Sequence, residues 1–223
     1  MKHPFATLLS AVGLSRPDAK GQEVQTMDPS KILFSVPTIS DDLGPVEKVE
    51  LPLPDSTFTL HEDDWCLVEF YSVARLPELK RMLTEYKAFE AKNRTSSGWK
   101  NVYVRRIERT PVMVGSGALE RLSSLLGTTA GDAPVLHSTT ALTGRVVQGF
   151  SMALGGNIRL YGYATNEGLP VIAASVGEHP DDQVLVSAFA KLHKEAGLVL
   201  VDWKNQFILV GVSDGGRIEV WKP

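Results

Sequence analysis

A single cysteine, Cys66, stands in a chain of 223 residues, which excludes an internal disulfide and any zinc site built from several thiolates. No run approaches the about 20 consecutive apolar residues that a membrane helix requires. No residue class dominates either: 43% of the chain is hydrophobic and 22% charged, which excludes intrinsic disorder, collagen-like sequence and a coiled-coil rod. The formal net charge of −3 supplies no global positive field for nucleic acid. The amino terminus, Met1-Lys2-His3 and then Phe5 to Leu14, lacks the marks of a signal peptide. Pro4, Thr7, Ser10 and Gly13 dilute its apolar run, and Arg16-Pro17 stands where a small-residue cleavage site would be. These absences lead us to expect a cytoplasmic protein with no membrane or nucleic-acid partner and no cofactor.

Hydrophobic periodicity predicts the organisation. Residues 1–30 read as an amphipathic helix and a linker with Pro17, Gly21 and Pro29. Residues 31–223 read as a single α+β domain, with sub-lobes 31–130 and 131–223 as the alternative. Ile32 to Val36 is a candidate short strand, and Lys48 to Leu53 alternates in part before Pro52 and Pro54 restrict it to an edge or loop. Trp65 to Tyr71 has strand composition. Leu76, Leu79, Leu83, Tyr86 and Phe89 then mark one face of a long helix with Pro77 in its first turn.

Shorter strands are expected over Asn101 to Arg105 and Val112 to Val114, and a short helix over Ala118 to Leu126, closed by Gly127. Ile158 to Tyr163 and Val171 to Val176 flank the turn residues Asn166-Glu167-Gly168. Pro180, Asp181 and Asp182 open a second long helix that Gly197 closes. Leu198 to Val201, Phe207 to Val212 and Ile218 to Trp221 complete the pattern, the last two joined as a hairpin through Asp214-Gly215-Gly216. Near-continuous apolar runs imply strands covered on both faces. The expected class is α+β, with mixed, mainly antiparallel sheet and two longer packing helices. A Trp-Lys-Asn triplet after each long helix, at 99–101 and 203–205, is the sole hint of a duplicated strand–helix–hairpin unit.

Candidate chemistry is sparse. Cys66, with His61 or His137, would need a positive, partly exposed setting to act as a nucleophile, whereas Glu62, Asp63 and Asp64 precede it; a buried structural thiol is the preferred reading. Gly149-Phe150-Ser151-Met152-Ala153 has the outline of a serine elbow, with His193 and Asp202 as conceivable partners. Gly155-Gly156 deny it the following helix, so a loop serine is preferred. Gly115-Ser116-Gly117 has Glu120 at the third glycine position of a dinucleotide loop and reads as a tight turn. His61-Glu62-Asp63-Asp64 offers hard ligands in a row, but neighbours in extended chain point alternately, so a solvated acidic loop is preferred. The five histidines show no paired metal spacing. Arg105, Arg106 and Arg109 beside Tyr103 lack an aromatic platform and read as a solvated strand edge.

The charge distribution is more informative than its sum. Residues 41–69 hold nine acids and one base, net −8, whereas residues 75–109 hold ten bases and four acids, net +6. Asp41, Asp42, Glu47, Glu50, Glu62, Asp63 and Asp64 are the candidate partner-binding residues, steering a basic partner by their field. The competing reading is that residues 75–109 neutralise them from within.

Three runs carry a family resemblance: Asp64-Trp65-Cys66-Leu67-Val68-Glu69-Phe70-Tyr71; Glu85-Tyr86-Lys87-Ala88-Phe89-Glu90 leading to Gly98-Trp99-Lys100-Asn101-Val102-Tyr103-Val104-Arg105; and Leu200-Val201-Asp202-Trp203 through Ile218-Glu219-Val220-Trp221-Lys222-Pro223. Over about residues 60–223 the chain resembles proteobacterial immunity proteins associated with type VI secretion effectors. The resemblance implies a non-enzymatic protein that binds a cognate secreted toxin and occludes its active site, a nuclease being one candidate. An effector-loading adaptor or an enzyme with an unrecognised site are the alternatives. No catalytic or interface residue carries over.

Overall fold

The computed structural model describes residues 33–139 and 141–223; the expected amino-terminal helix and linker, and Ile32, lie outside them. At the centre is strand β4 (Val68–Ser72). It pairs antiparallel with β13 (Leu198–Asp202) on one side and β12 (Gly168–Val176) on the other. Further antiparallel neighbours are β14 (Phe207–Val212) and β15 (Ile218–Trp221) beyond β13, and β11 (Ile158–Thr165), β10 (Gly149–Gly155) and the short β7 (Gly131–Asp132) beyond β12. β6 (Met113–Val114) pairs with the start of β12 and completes a nine-stranded sheet. β4, from the first half of the chain, thus stands between strands of the second half.

Alternation along these strands divides the core. Phe70, Leu160, Ile172, Leu198 and Leu200 face one side, where α2 (Ala118–Leu126) and α3 (Asp182–Ala196) supply Leu122, Phe189 and Leu192. Tyr71, Val199, Val201 and Ile208 face the other side under α1 (Leu76–Asn93), with its Leu79, Leu83 and Tyr86. On that same side, Tyr161, Val171 and Ala173 pack against a four-stranded sheet. Its order is β2 (Val46–Glu47), β9 (Leu142–Val146), β8 (Val135–His137) and β3 (Thr59–His61), with β3 parallel to β8. A parallel pair, β1 (Thr38–Ser40) and β5 (Tyr103–Arg105), lies apart. All five residues of β13 are buried, as expected of a strand covered on both faces.

The observed class is α+β and mostly sheet, with the carboxy-terminal hairpin as expected. Residues 48–58 form neither strand nor helix, the loop outcome that prolines at 52 and 54 favour by removing ladder donors. Two expectations change. Phe34 makes only an isolated bridge to Trp99. The strand expected from Trp65 begins at Val68, because Glu62–Asp64 form a 3-10 turn and Cys66 takes a left-handed φ of 58°. The duplicated unit is not seen. α3 leads into the β13–β14 hairpin, whereas α1 leads into β5, which pairs in parallel with β1. Gly168 belongs to the β11–β12 turn for a further reason: at φ +138°, a Cβ there would stand 2.0 Å from the Met113 carbonyl oxygen of β6.

Phe189→Ala removes the largest α3 side chain from a fully buried site. It should cost about 3–5 kcal/mol, read as a lowered urea midpoint at unchanged slope.

Candidate functional site

Glu69 follows from its place on β4. It lies opposite Val201 of one core and Ala173 of the other, so its carboxylate points into the seam between α1 and the small sheet. It is fully buried. Arg109 answers it, and Arg105 from the same short stretch is buried nearby. Arg109 donates to both Glu69 oxygens, the Nη2–Oε2 contact measuring 3.4 Å, and to both Asp42 oxygens, with Nη2 2.9 Å from Oδ1. Tyr71 donates its hydroxyl to Glu69 Oε2 at 2.5 Å. Arg105 is 1% exposed and donates to Thr38 Oγ1 and the Trp65 carbonyl, both at 3.0 Å, with its guanidinium over the Trp203 ring. These arginines therefore join the β1 segment, the small sheet and the α1 core. The solvated strand edge expected for them holds only for Arg106, whose side chain is 82% exposed and pairs with Asp41 at 3.4 Å.

Burial raises the Glu69 carboxyl above its ordinary range, against the lowering by Arg109 and the hydrogen bonds it accepts. The Tyr71 hydroxyl is pushed well up by the same burial and by Glu69. Cys66 is fully buried, and burial first, then Glu69, lifts its thiol well above the normal value. Its backbone N–H donates to the Tyr161 hydroxyl at 2.9 Å. Arg109 and Arg105 oppose this rise without offsetting it, so Cys66 is a packing residue.

The acidic candidates separate into two groups. Asp41 and Asp42 are engaged by Arg106 and Arg109. Asp63 approaches His61 Nδ1 at 3.6 Å, and burial, opposed by His61, raises its carboxyl above the ordinary range. Glu62 accepts from Thr143 Oγ1 at 3.3 Å. Glu47, Glu50, Asp55 and Asp64 are exposed and form no ion pair among the described residues. Three of these four frame the irregular 48–58 stretch, whose Leu51 is 69% exposed. The bases of α1 and its amino-terminal cap are not paired with the acidic segment: Arg75, the cap residue, pairs with Glu78, and Arg81 pairs with Glu85.

The remaining motifs are structural. Ser151 lies within strand β10, not in a loop, and donates to the Asp132 carbonyl at 2.7 Å. His193 faces the Leu198 carbonyl and Asp202 holds Asn205, so no triad assembles. The Gly115 amide donates to the Glu167 carbonyl at 2.7 Å, which leaves it unavailable to a phosphate. His61 and His137 do meet: they are register partners on β3 and β8, their rings 5.3 Å apart. Distance along the chain hid this pair, because only the parallel β3–β8 ladder joins them. Among the described residues no group of three or more His, Cys, Asp or Glu is placed to hold a metal ion, and no helix is long and apolar enough to cross a membrane. Comparison with protein-family models, curated proteins and solved structures finds no match.

Arg109→Met leaves Glu69 buried without its cation and should destabilise the fold by about 3–5 kcal/mol. The Glu69 carboxyl then rises further, so the folded state binds a proton that the unfolded chain releases. Stability of this variant should therefore recover as pH falls from 7 towards the ordinary carboxylate range, measured by urea unfolding across that interval. In the wild-type protein, Cys66 should resist an aromatic disulfide reagent at pH 8 and react once urea unfolds the chain.

Proposed function

We propose that the chain is an immunity-type binding protein that recognises a cognate secreted toxin and covers its active site. What supports this reading, beside the resemblance of its sequence, is the exposed loop of residues 48–58. It carries Leu51 outward between Glu47, Glu50 and Asp55, none of which forms an ion pair among the described residues. A large apolar side chain framed by acids suits an apolar pocket with a basic rim: the pocket desolvates the leucine while the charges steer the approach. If the toxin is a nuclease, its substrate groove is basic and the loop carboxylates occupy phosphate positions. Asp41 and Asp42 contribute less to such a surface, since their charge is already met by Arg106 and Arg109.

The test pairs this protein with the product of the neighbouring gene. Leu51→Ala should weaken the complex by about 2 kcal/mol, roughly thirtyfold. Glu47→Ser, Glu50→Ser and Asp55→Ser together should slow association and flatten its dependence on salt. Growth rescue of cells expressing the toxin should fall in parallel. Unchanged affinity in folded variants would sink the loop as the interface, and tight binding without rescue would point to an adaptor instead.

A further inference from the structure

We propose that His61 and His137 form a bidentate imidazole site for an exchangeable late first-row divalent cation, Zn²⁺ being the probe of choice. β3 and β8 run parallel with His61 opposite His137. Leu60 and Leu136 beside them are buried among apolar side chains, which turns both imidazoles to the opposite, outer face of the small sheet. The rings stand 5.3 Å apart at 87°, and the His61 side chain remains 26% exposed.

The surroundings suit a cation. His137 Nδ1 lies 3.4 Å from the Ser138 carbonyl oxygen; with the ring proton there, Nε2 keeps its lone pair for a metal. His61 Nδ1 accepts from the Asp63 N–H at 3.2 Å, which places the neutral ring's proton on Nε2. On cation binding at Nε2 the ring proton moves to Nδ1, which gives up the hydrogen bond it accepts from the Asp63 N–H, and Asp63 Oδ2, now 3.6 Å away, becomes the acceptor of the new Nδ1–H. The ring proton changes nitrogen and none is lost, giving the carboxylate–histidine–metal arrangement that fixes ring orientation and raises ligand basicity. Glu62, Asp63 and Asp64 add negative field around the pair. Two imidazoles select zinc, nickel or copper over magnesium or calcium. With no third protein ligand among the described residues, water completes the coordination, so the ion exchanges and is not a structural zinc.

Zn²⁺ titrated calorimetrically into the full chain should bind one to one with micromolar affinity. His61→Ala and His137→Ala should each abolish that event, His179→Ala should leave it intact, and Asp63→Asn should weaken it about tenfold at unchanged stoichiometry. Co²⁺ added to the wild-type protein should broaden the His61 and His137 ring resonances before those of the other histidines, a readout that requires no variant to fold. The proposal is overturned if no saturable binding occurs, if binding survives both histidine substitutions, or if Co²⁺ broadens other imidazoles first.

Discussion

The contact between Glu69 and Arg109 is the constraint around which the rest is arranged. A carboxylate on the central strand of a sheet covered on both faces cannot reach water, and burying it alone would cost several kcal/mol. The chain meets that cost by bringing Arg109 across from the stretch after β5, with Tyr71 as a second donor and Asp42 sharing the guanidinium. Because Glu69 sits where the α1 core adjoins the small-sheet core, the ion pair also sets how those two cores meet. An apolar pair of similar volume could fill the same seam with no desolvation cost; the directional bonds select one alignment of the two cores.

Much of this architecture was legible from local pattern. The α1 stripe, the Gly127 and Gly197 stops, the Asn166-Glu167-Gly168 turn and the last three strands all followed from residue spacing, because each is decided by neighbours a few positions away. What escaped was set by distant partners. Ser151 looked like part of a loop because β10 is made a strand by β11 and β7, not by its own composition. Cys66 looked like part of a strand because Trp65 and Leu67 have strand propensity, yet the Tyr161 hydroxyl and the preceding turn bend the backbone there. The His61–His137 pair left no trace in spacing at all.

The two charge blocks have a similar lesson. Their opposition suggested that the helix and strand of residues 75–109 neutralise the acidic segment, and they do so in part. Arg81 of α1 pairs with Glu85, and Arg75 just before the helix pairs with Glu78. Among the described residues the neutralising bases are Arg106 and Arg109, which pair with Asp41 and Asp42 at the front of the segment and with Glu69 at its end. The acids around Leu51 form no ion pair among the described residues. That remainder is a surface property, visible only after the internal pairs are subtracted.

The insertion of β4 between β12 and β13 has a consequence for synthesis on the ribosome. When Val68 to Ser72 leave the exit tunnel, neither flanking strand has yet been translated, and Asp202, the partner of Val68, is the last of the β4 partners to be made. Until β12 is made, an apolar strand that carries a carboxylate has both edges open, and until β13 is made one edge stays open, a state prone to mispairing. Closing the sheet requires loops of high contact order, which slow folding. The interval between making β4 and making β13 is therefore when a nascent chain of this kind depends most on being kept apart from its neighbours.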